Sequence, residues 1–139
     1  MTETRVSRTG AATGVRRTGV VVATILAAEA VFFALDSLAG VDLAVRTGDP
    51  VATVGPGAVA VASGIAALAG WGLLALLERF TARARLIWTV VASVVLVGSL
   101  VGPLGGVDPA ARLGLVALHL VCAGVLIVGL PRAGGRNPR

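Results

Sequence analysis

Four polar side chains lie inside or at the edge of long apolar segments, at spacings that would let them interact. Glu29 stands near the middle of the apolar run 20–39, and Asp36 follows it seven residues later. Arg112 and His119, also seven residues apart, lie in an apolar run near the C-terminus. A carboxylate at mid-membrane depth is costly unless it is paired or protonated. These four residues are therefore the candidate intramembrane polar site.

The spacing predicts two contacts between the first and the last span. Seven residues make two helical turns, so each pair shares one helix face. At 1.5 Å per residue, Glu29 and His119 would both lie about 15 Å from one boundary. Asp36 and Arg112 would both lie near the other boundary. If the spans touch, Glu29–His119 and Asp36–Arg112 pairs can form. They would be either hydrogen bonds that join two helices or a proton- or cation-linked transport site.

The elements that would position these side chains are membrane spans. Of the 139 residues, 56% are hydrophobic and 14% are charged, against about 25% charged in soluble domains. The mean hydropathy is +0.93. Four segments approach the roughly 20 apolar residues that a span needs, at about 19–39, 57–77, 86–104 and 109–130. The predicted fold is therefore all-α, a four-helix transmembrane bundle.

The domain limits follow from the composition between and beyond the spans. Residues 1–17 are predicted to be a disordered cytoplasmic N-terminus, 18–131 the four-span membrane domain, and 132–139 a cytoplasmic tail. Asp108 before Pro109 indicates a helix N-cap followed by proline at the first helical position. The sequence at 37–39 (SLA) resembles a signal-peptide cleavage site. The buried acids of the first span argue against cleavage, so we expect the span to be retained.

Arginine placement predicts the orientation. Ten of the twelve arginines flank the spans on the side of the two termini, whereas Arg46 and Arg112 lie on the other side. That other side also carries Asp42, Asp49 and Asp108. By the positive-inside rule, both termini are cytoplasmic and the protein is a multi-pass component of the cell membrane.

Several function classes are not expected from this composition. The net charge of +5 comes from arginines that flank spans, so no nucleic acid partner is expected. One cysteine, Cys122, and one histidine exclude an internal disulfide and bis-histidine haem ligation within a chain. No metal site, cofactor, catalytic triad or phosphate-binding loop is indicated, and no enzyme is expected.

Several other residues carry local predictions. Trp88 begins the third span and is predicted to be an interfacial anchor. Ala66 and Gly70 are among several small residues spaced four apart, a pattern typical of helix–helix contacts in membranes. The serines inside the spans are expected to bond carbonyl oxygens of their own helices; they are Ser63, Ser93 and Ser99.

Three short segments carry a resemblance to a known family. They are 70–79 (GWGLLALLER), 98–100 (GSL) with Pro103, and 117–120 (ALHL). Together they resemble an uncharacterised actinobacterial family of small four-span membrane proteins, classed as a domain of unknown function. The resemblance covers about 19–130. It implies a multi-pass protein with four helices and supplies no activity.

Two function classes remain open. The first is an accessory or structural membrane component that acts through helix contacts with itself or with a partner protein. The alternative is a small proton-linked transporter or permease component that uses Glu29 and His119. One copy offers little polar lining for a solute path, although a homo-oligomer could supply more. The lipid bilayer is the expected environment in both cases.

Overall fold

The computed structural model describes the backbone of residues 3–46 and 48–134, and the side chains from Gly10 onward within those limits. The long helices α1 to α4 are, in chain order, Glu3–Phe33, Pro56–Phe80, Ala84–Ser99 and Pro109–Ala133. Each belongs to a segment long and apolar enough to cross a membrane. The predicted class, an all-α bundle of four transmembrane helices, is confirmed.

The helices form a four-membered ring in which chain neighbours are also spatial neighbours. Helix α1 packs against α2 and α4, and α3 packs against the same two helices from the opposite side. The part of α1 around Arg17, the α2–α3 link and the end of α4 lie together at what we call the terminal end. The two longer connections lie at the opposite, hairpin end. The condition that the first and last spans touch is therefore met.

Two helices extend beyond their predicted limits. Helix α1 begins at Glu3, so residues 3–17, which are predicted to be disordered, are helical. Residues 1–2 lie outside the described part of the chain. A π-helical turn, Ala34–Leu38, continues directly from α1 and carries Asp36. Helix α4 passes Pro131 and ends at Ala133; residues 135–139 of the predicted tail are not described. Adding a residue to an existing helix gains a hydrogen bond without a new nucleation cost.

A small sheet that the sequence analysis did not predict closes the hairpin end. Strands β1 (Ala44–Arg46) and β2 (Val51–Thr53) pair antiparallel. Gly106, in the α3–α4 connection, adds an antiparallel bridge to Val45. The sheet therefore ties the α1–α2 loop to the α3–α4 loop over the end of the bundle.

The core consists of two apolar clusters, one in each half of the bundle. The cluster nearer the terminal end comprises Val21, Ala67, Leu74, Trp88, Leu126 and Leu130. The cluster nearer the hairpin end comprises Ala28, Phe32, Leu43, Val59, Leu115 and Leu118. Two buried hydroxyl groups also lie in the interior, and each donates to its own helix: Thr24 to the Val20 carbonyl oxygen and Ser63 to that of Val59.

The hydrogen bonds of the serines agree with the prediction, whereas the position of Trp88 does not. Ser93 and Ser99, like Ser63, donate to carbonyl oxygens of their own helix. Trp88 is not an interfacial anchor: it is only 3% exposed and belongs to the core. Gly70 makes room for its ring, because a Cβ atom at Gly70 would lie 2.9 Å from Trp88 Cη2.

Candidate functional site

The structure does not bring Glu29 and His119 together. No hydrogen bond or ion pair joins them among the described residues. His119 Nδ1 lies 2.7 Å from the Leu115 carbonyl oxygen, which can only accept, so Nδ1 carries the proton and donates within its own helix. Glu29 Oε1 is buried and has no hydrogen-bond partner in the described part of the chain.

The reason lies in the direction in which each side chain points around its helix. Val20 faces α4, because its methyl groups approach Gly129, where an added Cβ would lie 2.9 Å from Val20 Cγ1. Glu29 follows Val20 by nine residues, which is about two and a half turns, so it lies on the opposite face of α1. It follows Ile25 by one turn, and Ile25 contacts α2 at Gly64. Glu29 is therefore on the α2 side of α1.

The second predicted pair is also not formed. Asp36 is exposed in the π-helical turn, and its carboxylate accepts from the Ser37 hydroxyl at 3.4 Å. Arg112 Nε donates to the Gly106 carbonyl oxygen at 2.9 Å. Gly114 is the position of α4 that faces α1 here, and Arg112 precedes it by two residues, which turns the guanidinium away. Arg112 therefore binds the α3–α4 connection and not the carboxylate of Asp36.

His119 lines a groove between α2, α3 and α4, which we call the α3 groove. Its volume is about 590 Å³. It exists because α3 is buried only at its start, through Ala84 and Trp88, and is less enclosed further on. Exposed alanines of α2 at four-residue spacing form its open wall; they are Ala58, Ala62 and Ala66. The single cysteine of the chain, Cys122, lies in the opposite wall.

Three polar groups of this groove are turned toward their own helices, whereas the Trp88 indole nitrogen is buried without a hydrogen-bond partner in the described part of the chain. The hydroxyl groups of Ser63 and Ser99 donate to Val59 and Leu96, and the His119 Nδ1 donates to Leu115. The remaining lining is aliphatic apart from Trp88 and Cys122. Such a surface is suited to an apolar occupant rather than to a hydrated ion.

An ion pair that the sequence analysis missed joins α1 to α2 at the terminal end. Arg17 Nη2 lies 2.6 Å from both carboxylate oxygens of Glu78, and the two side chains are 6% and 34% exposed. Gly134 lies against the pair, since an added Cβ would be 3.0 Å from Arg17 Nη2. Arg85 Nη2 donates to the Gly134 carbonyl oxygen at 3.2 Å. We call this four-helix arrangement the terminal clamp.

A signal for the clamp was present in the sequence. Glu78 is the one acidic residue between the second and third spans, and it stands among arginines. Arg17 directly precedes the first span. An acid at a helix end in a strongly basic region is a natural partner for an arginine at the same depth.

Comparison with known proteins places the chain in a family. Residues 8–136 match a family described as one of unknown function. The chain belongs to that family, DUF6069. No curated protein and no solved structure matches the chain.

The family match includes α1 from residue 8 onward, the other three helices, the α3 groove and the terminal clamp. It agrees with the resemblance to an uncharacterised family that is classed as a domain of unknown function. The family has no assigned activity, so only the geometry of the molecule itself indicates a function.

Proposed function

We propose that the protein is an accessory or structural component of the membrane that acts through helix contacts, and that the α3 groove receives a transmembrane helix. The observation that carries the proposal is the length of the groove. Its wall on α2 runs from Ala58 to Leu73. That distance is about 22 Å at 1.5 Å per residue, most of the roughly 30 Å of a bilayer core.

The chemistry of the wall supports a helix as the occupant. Small residues let two helix backbones approach closely, and packing between such surfaces drives helix association in lipid. The alanines of α2 continue to Gly70 at the same four-residue spacing. The occupant is a helix of a second copy or of a partner protein.

The distribution of charge supports the topology. The terminal end carries Arg16, Arg17, Arg79, Arg83, Arg85 and Arg132. We propose that this end faces the cytoplasm and that the protein resides in the cell membrane. The lysine-free composition, rich in alanine, valine, glycine and arginine, supports a GC-rich bacterial source such as an actinobacterium.

The alternative, a proton-linked transporter that uses Glu29 and His119, has less support. The two side chains point to different helices, and the α3 groove holds His119 without Glu29. A path that included both would have to cross the closely packed interface of α1 with α2. The absence of any enzymatic activity remains part of the proposal.

Photocrosslinking in the native membrane tests the proposal. A photoreactive amino acid at Ala62 lies in the groove, whereas one at Val97 lies on a 69% exposed part of α3 outside it. We expect the Ala62 probe to yield a defined protein adduct, either a dimer of this chain or a complex with one partner. The Val97 probe should give none at comparable yield.

A groove-filling substitution provides the second arm. Ala66→Leu should abolish the adduct because leucine occupies the space of the incoming helix, while Ala30→Leu, at an exposed position of α1, should leave it intact. Adducts with lipid alone at Ala62, or equal protein adducts at Ala62 and Val97, would contradict the proposal.

A further inference from the structure

A second groove follows the outer surface between α1 and α4, near the terminal end. We call it the α1–α4 groove, and its volume is about 690 Å³. Its floor is the tight contact of Val20 with Gly129, where the two helices meet. Its sides include Gly19 and Ala23 of α1 and Gly124 of α4, so small residues keep it open. Almost all of its lining is apolar.

The length of this groove fits one leaflet. Along α1 it extends from Arg16 to Ala23, about 10 Å at 1.5 Å per residue. A bilayer core is about 30 Å thick, so the groove ends before the midplane. A transmembrane helix would need a surface that continues across the membrane, as the α3 groove does. The α1–α4 groove instead matches a chain that enters from one surface and stays in one leaflet.

The charge that the described side chains place at the mouth of the groove is positive. Arg16 lines the mouth and is exposed. Arg132, also exposed, donates to the carbonyl oxygen of Val128, which is itself a residue of the groove. Among the described side chains, no carboxylate lies within 4.0 Å of either guanidinium. The nearby carboxylate of Glu78 is already bound by Arg17.

We propose that the α1–α4 groove binds an anionic phospholipid, with an acyl chain along the apolar floor and the headgroup phosphate at Arg16 and Arg132. Arginine recognises phosphate through its planar set of donors. Basic pockets between transmembrane helices are suited to anionic headgroups. Close packing of the chain along the groove supplies van der Waals contact, and the two arginines supply the preference for negative charge. This site is independent of the helix proposed for the α3 groove.

Native mass spectrometry of the delipidated full-length protein tests the site. The probes are phosphatidylglycerol and phosphatidylcholine with identical acyl chains, titrated separately in one detergent. We expect one phosphatidylglycerol to bind before any other lipid, and at lower concentration than phosphatidylcholine. Arg16→Gln should weaken phosphatidylglycerol binding about five-fold, the equivalent of about 1 kcal/mol for one arginine near a charged surface. Phosphatidylcholine binding should not change.

A groove-filling variant tests the contribution of the lipid's acyl chain to binding separately from that of its headgroup. Nothing lies within 4 Å of an added Cβ at Gly124, so Gly124→Leu should fill the groove without disturbing the core. It should weaken the binding of both lipids. The matched control is Gly72→Leu, an equally open and exposed glycine of α2 at similar depth, which should leave both unchanged. Arg83→Gln is the matched charge control.

Three outcomes would overturn the proposal. One is equal binding of the two lipids to the wild-type protein. Another is an effect of Gly72→Leu or Arg83→Gln as large as that of the groove variants. The third is competition by free glycerol phosphate at concentrations similar to those of the lipid, since a chain in the groove would then contribute nothing.

Discussion

The terminal clamp offers a sharp test of what holds the bundle together. Glu78→Gln would remove the negative charge and leave the guanidinium of Arg17 unpaired. That side chain is 6% exposed, and its Nε already has no hydrogen-bond partner among the described residues. Breaking a fully buried pair by removing one partner costs about 3–5 kcal/mol. Because Glu78 is 34% exposed, water can replace part of the lost interaction, so we expect about 2 kcal/mol.

The reverse substitution should cost less. Arg17→Met removes the buried charge and keeps an apolar stem, and the carboxylate left behind can be hydrated at the surface. We expect about 1 kcal/mol, because an apolar replacement of a buried ion also removes its desolvation penalty. The order of the two single variants is therefore part of the prediction.

The assay is equilibrium unfolding in mixed micelles, with the denaturing detergent raised stepwise and helix content followed by circular dichroism. In the double variant the losses should not add, with a coupling of about 1–2 kcal/mol as expected for residues in direct contact. Arg79→Gln, an exposed arginine at the same end, is the control and should change stability by less than about 0.5 kcal/mol. Additive losses, or a Glu78→Gln effect no larger than the control, would refute the clamp.

Three further predictions concern single positions, with the same unfolding measurement. Gly114→Val should destabilise by about 1–3 kcal/mol through overpacking, since an added Cβ would lie 2.7 Å from Leu43 Cδ2; an unchanged midpoint would contradict this close contact. Asp108→Ala should cost about 1 kcal/mol, because the Asp108 carboxylate caps α4 at a distance of 2.8 Å, whereas Asp108→Asn should retain most of the stability. Glu29→Leu should be neutral or stabilising, because it removes a buried oxygen that has no partner among the described residues; a loss coupled to His119→Ala would restore the predicted pair.

The helices could be predicted because a bilayer leaves few alternatives. Backbone polar groups inside lipid must be bonded within the segment, so long apolar runs become helices. The cap at Asp108 could also be predicted, because it depends on residues adjacent in sequence. Both predictions rest on local chemistry.

The hairpin was missed although its signals are local. Apolar residues alternate at Val41, Leu43 and Val45, and the turn that follows contains Gly48 with a φ of +78°. Alternation followed by a turn rich in glycine, aspartate and proline is typical of a β-hairpin. The alternation covers only three apolar residues in a loop between two long apolar spans, and the spans dominate the hydropathy pattern.

Depth and spacing alone could not predict whether the polar pairs Glu29–His119 and Asp36–Arg112 form. Both quantities describe position along a helix axis, and neither gives the direction around it. That direction is set by which small residues allow close approach, here Gly129 against Val20 and Gly64 against Ile25. These contacts assign one side of α1 to α4 and another to α2. Glu29 falls on the α2 side, and no property of Glu29 or His119 in the sequence reveals that.

The direction around the helix axis also distinguishes Arg16 from Arg17, although the positive-inside rule counts both in the same way. One residue is a rotation of about 100° around a helix. Arg17 is thereby turned into the bundle to meet Glu78, while Arg16 is turned outward to the mouth of the α1–α4 groove. Substitutions of Arg16 and of Arg17 should therefore have opposite effects on lipid binding and on stability. Arg16→Gln should weaken anionic lipid binding at unchanged stability, and Arg17→Met should lower stability at unchanged lipid preference. A matching pair of profiles would mean that both arginines act through the general charge of this end of the bundle.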